Sequence, residues 1–166
     1  GGTGMAQALG VRFEGRDDAG ADGGRLMAGR WLNDLASIDC SGLDVRLSER
    51  RITVACDVTN PLTGPRGAAA VYGPQKGATP QQVQQLDANL AHFFQTIAQQ
   101  TGQDVRTLPG GGAAGALAGG LAALAGASLM PGAKTIIETL GYAEQIPACA
   151  LVITGEGALD TQTSGG

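Results

Sequence analysis

The stretch ITVACDV, residues 52–58, decides how the chain is read. It is short, rich in β-branched and apolar residues, preceded by Arg50 and Arg51 and followed by turn formers. That pattern predicts a buried β-strand over residues 52–58. Asn60-Pro61 and Gly64-Pro65 then force a loop. In an α/β protein, chemistry gathers where a strand releases its last residue into such a loop.

Working outward, helical and strand-like segments alternate. Residues 80–100 predict the longest helix. Thr79 can cap it, Pro80 suits its first position, and Gln82 completes a capping box. Val83, Leu86, Leu90, Phe93, Phe94 and Ile97 recur at helical spacing, and Gly102 can end the helix. Residues 117–127 and 131–140 read as further helices, the second stopped by Gly141. CALVIT, residues 149–154, reads as a second buried strand. Before residue 52, a short helix ends at Gly10, residues 11–13 suit a strand, and residues 26–35 suit a weak helix. Residues 39–42 suit a turn. The class is α/β with a parallel or mixed sheet.

Composition excludes several functions. The net charge is −4, from 11 basic and 15 acidic residues, which disfavours binding by phosphate neutralisation. Aromatics are 4%, too few for a base-stacking platform, so no nucleic-acid partner is expected. Cys40, Cys56 and Cys149 are far apart and form no zinc spacing; they read as free thiols of a reducing, cytoplasmic compartment. Residues 112–130 carry no charge, but their Ala/Gly content predicts a buried helix and not a membrane span. His92 lies about 150° around its helix from the apolar stripe and is expected to face solvent, so a histidine base is not expected. Glycine is the outlier, 28 of 166 residues against a usual share of about 7%. The opening Gly1-Gly2-Thr3-Gly4 and the closing glycine-rich loop both read as cut, as expected of an internal stretch of a longer protein.

Three clusters could carry chemistry. In residues 55–67, Asp57 and Asn60 stand where the strand exits. Asp57 could hold Mg²⁺ or a substrate hydroxyl, or simply cap the loop. Arg66 could pair with a carboxylate or phosphate. The following YGPQKGA, residues 72–78, holds Gln75 and Lys76 in a constrained turn. The second cluster is PGGGAAG, residues 109–115. Gly110, Gly111 and Gly112 open a helix whose amides could meet an anion, and Gly110, Gly112 and Gly115 match G-x-G-x-x-G. No acidic residue closes a second strand about twenty residues later, and tight helix packing explains the glycines equally well. The third is TGEGALDTQTSGG, residues 154–166. Glu156 and Asp160 suit Mg²⁺, and Ser164, Gly165 and Gly166 could begin a phosphate-binding helix. Together these point to a small anionic substrate and a phosphate donor.

CDVTNPLTGPRGAAAVYGPQKGA, LPGGGAAGALAGGL and LVITGEGALDTQTSGG, in that order, resemble the common bacterial glycerate kinase family along the whole chain. The resemblance implies ATP-dependent phosphorylation of D-glycerate with Mg²⁺. It implies a longer protein with a flavodoxin-like domain and an inserted α/β domain of restriction-endonuclease type. Residues 1–146 would be the inserted domain, and residues 147–166 the truncated return into the flavodoxin-like one. It implies site residues at Asp57, Asn60, Gln75, Lys76, Glu156 and Asp160, with Asp57 taken as catalytic and Glu156 and Asp160 as metal contacts. Read from the residues themselves, Arg66 joins the substrate contacts, and phosphate contacts fall at Gly110, Gly111, Gly112, Ser164, Gly165 and Gly166. Ala158 departs from the pattern, where many relatives carry Arg. The stretch alone is expected to be inactive, and a homo-oligomer stays open. The competing readings are a noncatalytic small-anion or scaffold module and a nucleotide-binding oxidoreductase.

Overall fold

A computed structural model describes residues 1–15, 27–153 and 155. The elements run α1 (Thr3–Ala8), β1 (Arg12–Gly15), β2 (Leu35–Asp39), β3 (Thr53–Ala55), α2 (Ala68–Tyr72), α3 (Pro80–Thr101), α4 (Ala113–Ala125), β4 (Ser128–Met130), α5 (Gly132–Thr139) and α6 (Tyr142–Gln145). Among the described residues there are two separate two-stranded sheets. β1 and β2 are antiparallel, with Phe13 opposite Ile38. β3 and β4 are parallel, with Ala55 opposite Met130.

Helix α3 organises the core, and its local signals agree with its tertiary role. The Thr79 hydroxyl accepts from the Gln82 amide, and the Gln82 side chain accepts from the Thr79 amide. Gly102 closes the helix in the left-handed region at φ 75°. Leu90, Phe93, Phe94 and Ile97 are buried as the stripe predicts. Phe93 sits between Phe13 and Phe94, at ring-centre distances of 5.9 and 5.0 Å, a spacing at which aromatic edges and faces attract. One flank of α3 meets β2 and the 3₁₀ turn Gly29–Asp34, and another meets α2.

Packing from two sides also explains the polar residues buried on α3. Asn89 is wholly buried; it donates to Gly29 O at 2.7 Å and accepts from Gln85 at 2.8 Å. Such a group is tolerated inside because both ends of its amide are bonded. His92 is not the solvent-facing residue expected from the helical wheel. It is half-buried, and its Nε2 donates to Leu35 O at 2.8 Å. The wheel supposes one buried face, whereas α3 has elements on two.

The Ala/Gly helix α4 fits where larger side chains would not. A Cβ at Gly119 would stand 2.5 Å from Leu62, and one at Gly120 would stand 2.4 Å from Gly1 O. Regular helix begins only at Leu117, because Ala114, Gly115 and Ala116 are left-handed at φ 52°, 71° and 66°. This conformation costs an alanine about 1–2 kcal/mol, so packing around buried Ala116 must hold it. No helix among the described residues is long and apolar enough to cross a membrane.

Four further expectations change. Regular strand covers Thr53–Ala55 and not all of 52–58, and Thr53 and Ala55 are exposed. A parallel strand is covered on both faces only within a wider sheet with helices on each side, and β3 has one neighbour among the described residues. Residues 26–35 do not form an α-helix: the turn Gly29–Asp34 is 3₁₀ and Leu35 already starts β2. The described part of 149–154 is not strand. Leu151, Val152 and Ile153 are 75%, 55% and 86% exposed, and no strand among the described residues neighbours them to satisfy their backbone. Finally, the strands form one antiparallel and one parallel pair, not one mixed sheet. The α/β class itself stands.

Candidate functional site

Because β3 and β4 are parallel neighbours, both release their chains at the same edge. The ladder ends with Cys56 N–H donating to Met130 O at 2.8 Å. Beyond it, the Asp57 carboxylate leaves β3 and accepts the Gly132 amide of α5 through Oδ1 at 2.6 Å. Asp57 is exposed, while Gly132 is buried beneath it. A carboxylate receiving a backbone N–H at a helix start is a charge-assisted contact that fits the helix dipole.

The loop after Asp57 is braced by its own side chains. Asn60 Nδ2 donates to Arg66 O at 2.9 Å, and the Tyr72 hydroxyl donates to Asn60 Oδ1 at 3.2 Å. Asp87, on α3, receives the Gly64 amide. Asn60 therefore shapes the loop first, with one Nδ2 hydrogen and one Oδ1 lone pair left for a ligand. Arg66 is exposed and has no ion-pair partner among the described residues.

The glycine run lies against the same loop. Gly112 N–H donates to Asn60 O at 3.0 Å, and Gly111 N–H donates to Leu108 O at 3.0 Å. A Cβ on Gly112 would stand 2.1 Å from Pro61 O, and one on Gly110 would meet Val58 O at 2.9 Å. Gly110, Gly111 and Gly112 are buried, and the amides of the last two are engaged by carbonyls of the chain. The run thus brings two backbones together, the packing role that the sequence allows beside anion binding.

Gln75 and Lys76 occupy the exposed 3₁₀ turn Pro74–Lys76 after α2. Lys76 edges a cavity of about 160 Å³ whose walls include Ala68, Tyr72, Leu86 and Leu90. Gly1 N–H is in the same wall and donates to Gly115 O at 2.7 Å. Lys76 has no ion-pair partner among the described residues, so its charge is available to an anion.

The structure therefore joins Asp57, Asn60 and the glycine run at one edge, and links Asn60 through Tyr72 to the wall that Lys76 borders. Glu156, Asp160, Ser164, Gly165 and Gly166 lie outside the described residues, as do Thr154 and Ala158. Among the described residues, no three His, Cys, Asp or Glu side chains gather as a metal cage. Neither Asp87 nor the pairing of Gly132 with Asp57 carries a site signal in the sequence, and Tyr72 is visible only as the first residue of YGPQKGA. Asp87 reads as any polar helix position, and only the fold brings it to Gly64. Gly132 lies 75 residues from its partner.

A parallel pair with a carboxylate at its exit, a braced polar loop and, among the described residues, cations without ion-pair partners mark the candidate site of an α/β protein. The glycerate kinase family model matches residues 1–166, and the chain belongs to that family. It is 46% identical over 165 residues to a glycerate kinase of Halalkalibacterium halodurans and 45% identical over 164 residues to the glycerate 2-kinase of Escherichia coli K12. Each match covers 98% of this chain and 42% of the relative. A crystal structure of a candidate glycerate kinase 2 from Salmonella typhimurium LT2 superposes with a TM-score of 0.85 at 47% identity, covering 97% of this chain and 42% of that one. The chain thus spans about two fifths of the length of these relatives.

Proposed function

We propose that these residues form part of an ATP-dependent glycerate kinase, which transfers the γ-phosphoryl group of ATP to D-glycerate. The observation that carries this reading is the Asp57 carboxylate at the shared exit of β3 and β4, within a chain of this family. Oδ1 is taken by Gly132, which leaves Oδ2 to orient the acceptor hydroxyl and receive its proton. As the glycerate hydroxyl oxygen forms its bond to the γ-phosphorus and its proton passes to Asp57, the bond from that phosphorus to the β,γ-bridging oxygen breaks and ADP leaves. Lys76 and Arg66 supply positive charge for the glycerate carboxylate or for phosphate. Asn60 and Gln75 are assigned to substrate hydroxyl contacts. The E. coli relative is named a glycerate 2-kinase, so the 2-hydroxyl is the acceptor carried into the test.

Mg²⁺ suits this chemistry because it is commonly held by one or two carboxylates together with substrate phosphates, not by a protein cage. Glu156 and Asp160 are assigned as the residues that would hold it. When bound, the ion would neutralise phosphate charge. Residues 1–146 are assigned to an inserted domain of restriction-endonuclease type, and residues 147–166 to the return into a flavodoxin-like domain. The exposed apolar run Leu151, Val152 and Ile153 supports that division, since it has the composition of a strand awaiting a sheet. Because the relatives are more than twice as long, the isolated chain is assigned no activity of its own.

The test is ADP release from Mg-ATP and D-glycerate, with identification of the phosphorylated product. It is run on this chain and on the complete reading frame that contains it. Activity in the complete protein alone, with a 2-phosphoglycerate product, is expected. Activity in the 166-residue chain would overturn the division of labour. A folded complete protein without activity would overturn the kinase reading.

A further inference from the structure

Helix α5 begins with a deficit. Its first amides have no partner inside the helix, and Pro131, at the capping position, offers no side-chain acceptor. The acceptor comes from the neighbouring strand: Asp57 Oδ1 takes the Gly132 N–H at 2.6 Å, across 75 residues of sequence. The same glycine makes room for the carboxylate. A Cβ at position 132 would stand 2.6 Å from Asp57 Oδ2 and 3.1 Å from Cγ. Real Cβ atoms do not come so close, so any side chain there must push the carboxylate away. Gly132 thus does two separable things: its amide pins one oxygen, and its bare Cα lets the carboxylate lie over the helix start. Oδ2 has no hydrogen-bond partner among the described residues.

We propose that Gly132 is a positioning residue for Asp57. The end of β4 fixes the orientation of the carboxylate at the end of β3 and thereby aims its free oxygen. This rests on the reading of Asp57 as the group that orients the acceptor hydroxyl. Pinning matters because a displacement of about 1 Å at a reacting group can cost roughly 100-fold in rate.

The test is a double-mutant cycle in the complete protein, with Gly132→Ala, Asp57→Asn and the double variant assayed for kcat and KM. Gly132→Ala is expected to lower kcat roughly 10- to 100-fold, with KM for ATP changed less than about twofold. Added to Asp57→Asn, it is expected to cost almost nothing more, since both changes act on one carboxylate. Wild-type kcat in Gly132→Ala, beside a damaged Asp57→Asn, would overturn the positioning role and leave the Asp57 assignment intact. Multiplying losses in the double variant would also overturn it. Undiminished turnover in Asp57→Asn would remove the assignment and the inference together. Should Gly132→Ala not fold, amide hydrogen exchange decides. The Gly132 amide is expected to be protected in the wild type and exposed to exchange in Asp57→Ala, which removes the acceptor, and equal protection in both would overturn the clamp.

Discussion

The Asp87 carboxylate receives the Gly64 N–H on both oxygens, at 2.9 and 3.1 Å. One residue of α3 thus anchors the loop that carries Asn60 and Arg66. The contact is half-buried and charge-assisted, so solvent cannot replace it without loss. Asp87→Ala is expected to destabilise the chain by about 1–2 kcal/mol in urea unfolding. In the complete protein it should raise KM for glycerate more than it lowers kcat. A variant as stable as wild type would show that the loop does not depend on this anchor.

Two glycine-to-alanine changes should act in opposite directions. At Gly112 the new Cβ would stand 2.1 Å from the Pro61 carbonyl, a backbone atom with little freedom to retreat. A loss of about 3 kcal/mol is expected in equilibrium unfolding. At Gly4, inside α1, a Cβ meets nothing within 4 Å. There alanine should stabilise by about 0.5 kcal/mol, because the unfolded chain loses freedom. Equal effects at the two positions would refute the account of close backbone approach.

Two aspartates should titrate unusually low. Asp44 is held at about 2, chiefly by the Arg46 guanidinium and then by the Arg46 amide. Asp104 is held at about 2 by Arg106 in the same way. Both folded values lie below the ordinary 3.8, so their contribution to stability is present above that value and is lost as pH falls through about 2. Carboxyl carbon shifts followed by NMR against pH should give these midpoints. Arg46→Ala and Arg106→Ala should each return the neighbouring midpoint towards 3.8, and unchanged midpoints would contradict the assigned cause.

The end of the described chain carries an apolar run. Ile136 of α5 and Leu140 just beyond its end are about half exposed, and Leu151 and Ile153 more so. Apolar surface of this kind associates in water. The 166-residue chain is expected to self-associate with rising concentration in sedimentation velocity. Replacing Leu151 and Ile153 together with serine should weaken that association at least about tenfold, from the loss of two buried side chains. Monodisperse monomers at high concentration would count against this.

Local chemistry makes much of the molecule legible in the amino-acid sequence. The box at Thr79 and Gln82, the stop at Gly102 and the stripe from Leu90 to Ile97 act within one or two helical turns, so neighbours in sequence suffice to specify α3. The turn residues around Asn60 and Gly64 mark the site loop for the same reason. Motif order along the chain points to the glycerate kinase family.

What the linear chain does not disclose depends on elements distant in sequence. Among the described residues β2 and β4 each have one neighbour, and the short runs Leu35–Asp39 and Ser128–Met130 resemble helix edges until that neighbour is placed. Burial of His92 depends on a second element reaching the far side of α3. Asp57 is visible as a strand-exit carboxylate, but the amide that clamps it arrives only when β3 and β4 pair in parallel and bring Gly132 beneath it. The amino-acid sequence by itself determined α3 with its cap and stop, the site-loop turns and the candidate groups, because capping, periodicity and backbone restriction act over a few residues. The tertiary structure alone decided which strands pair, which polar groups are satisfied inside and which way the carboxylate faces, because those depend on distances between residues the chain keeps far apart.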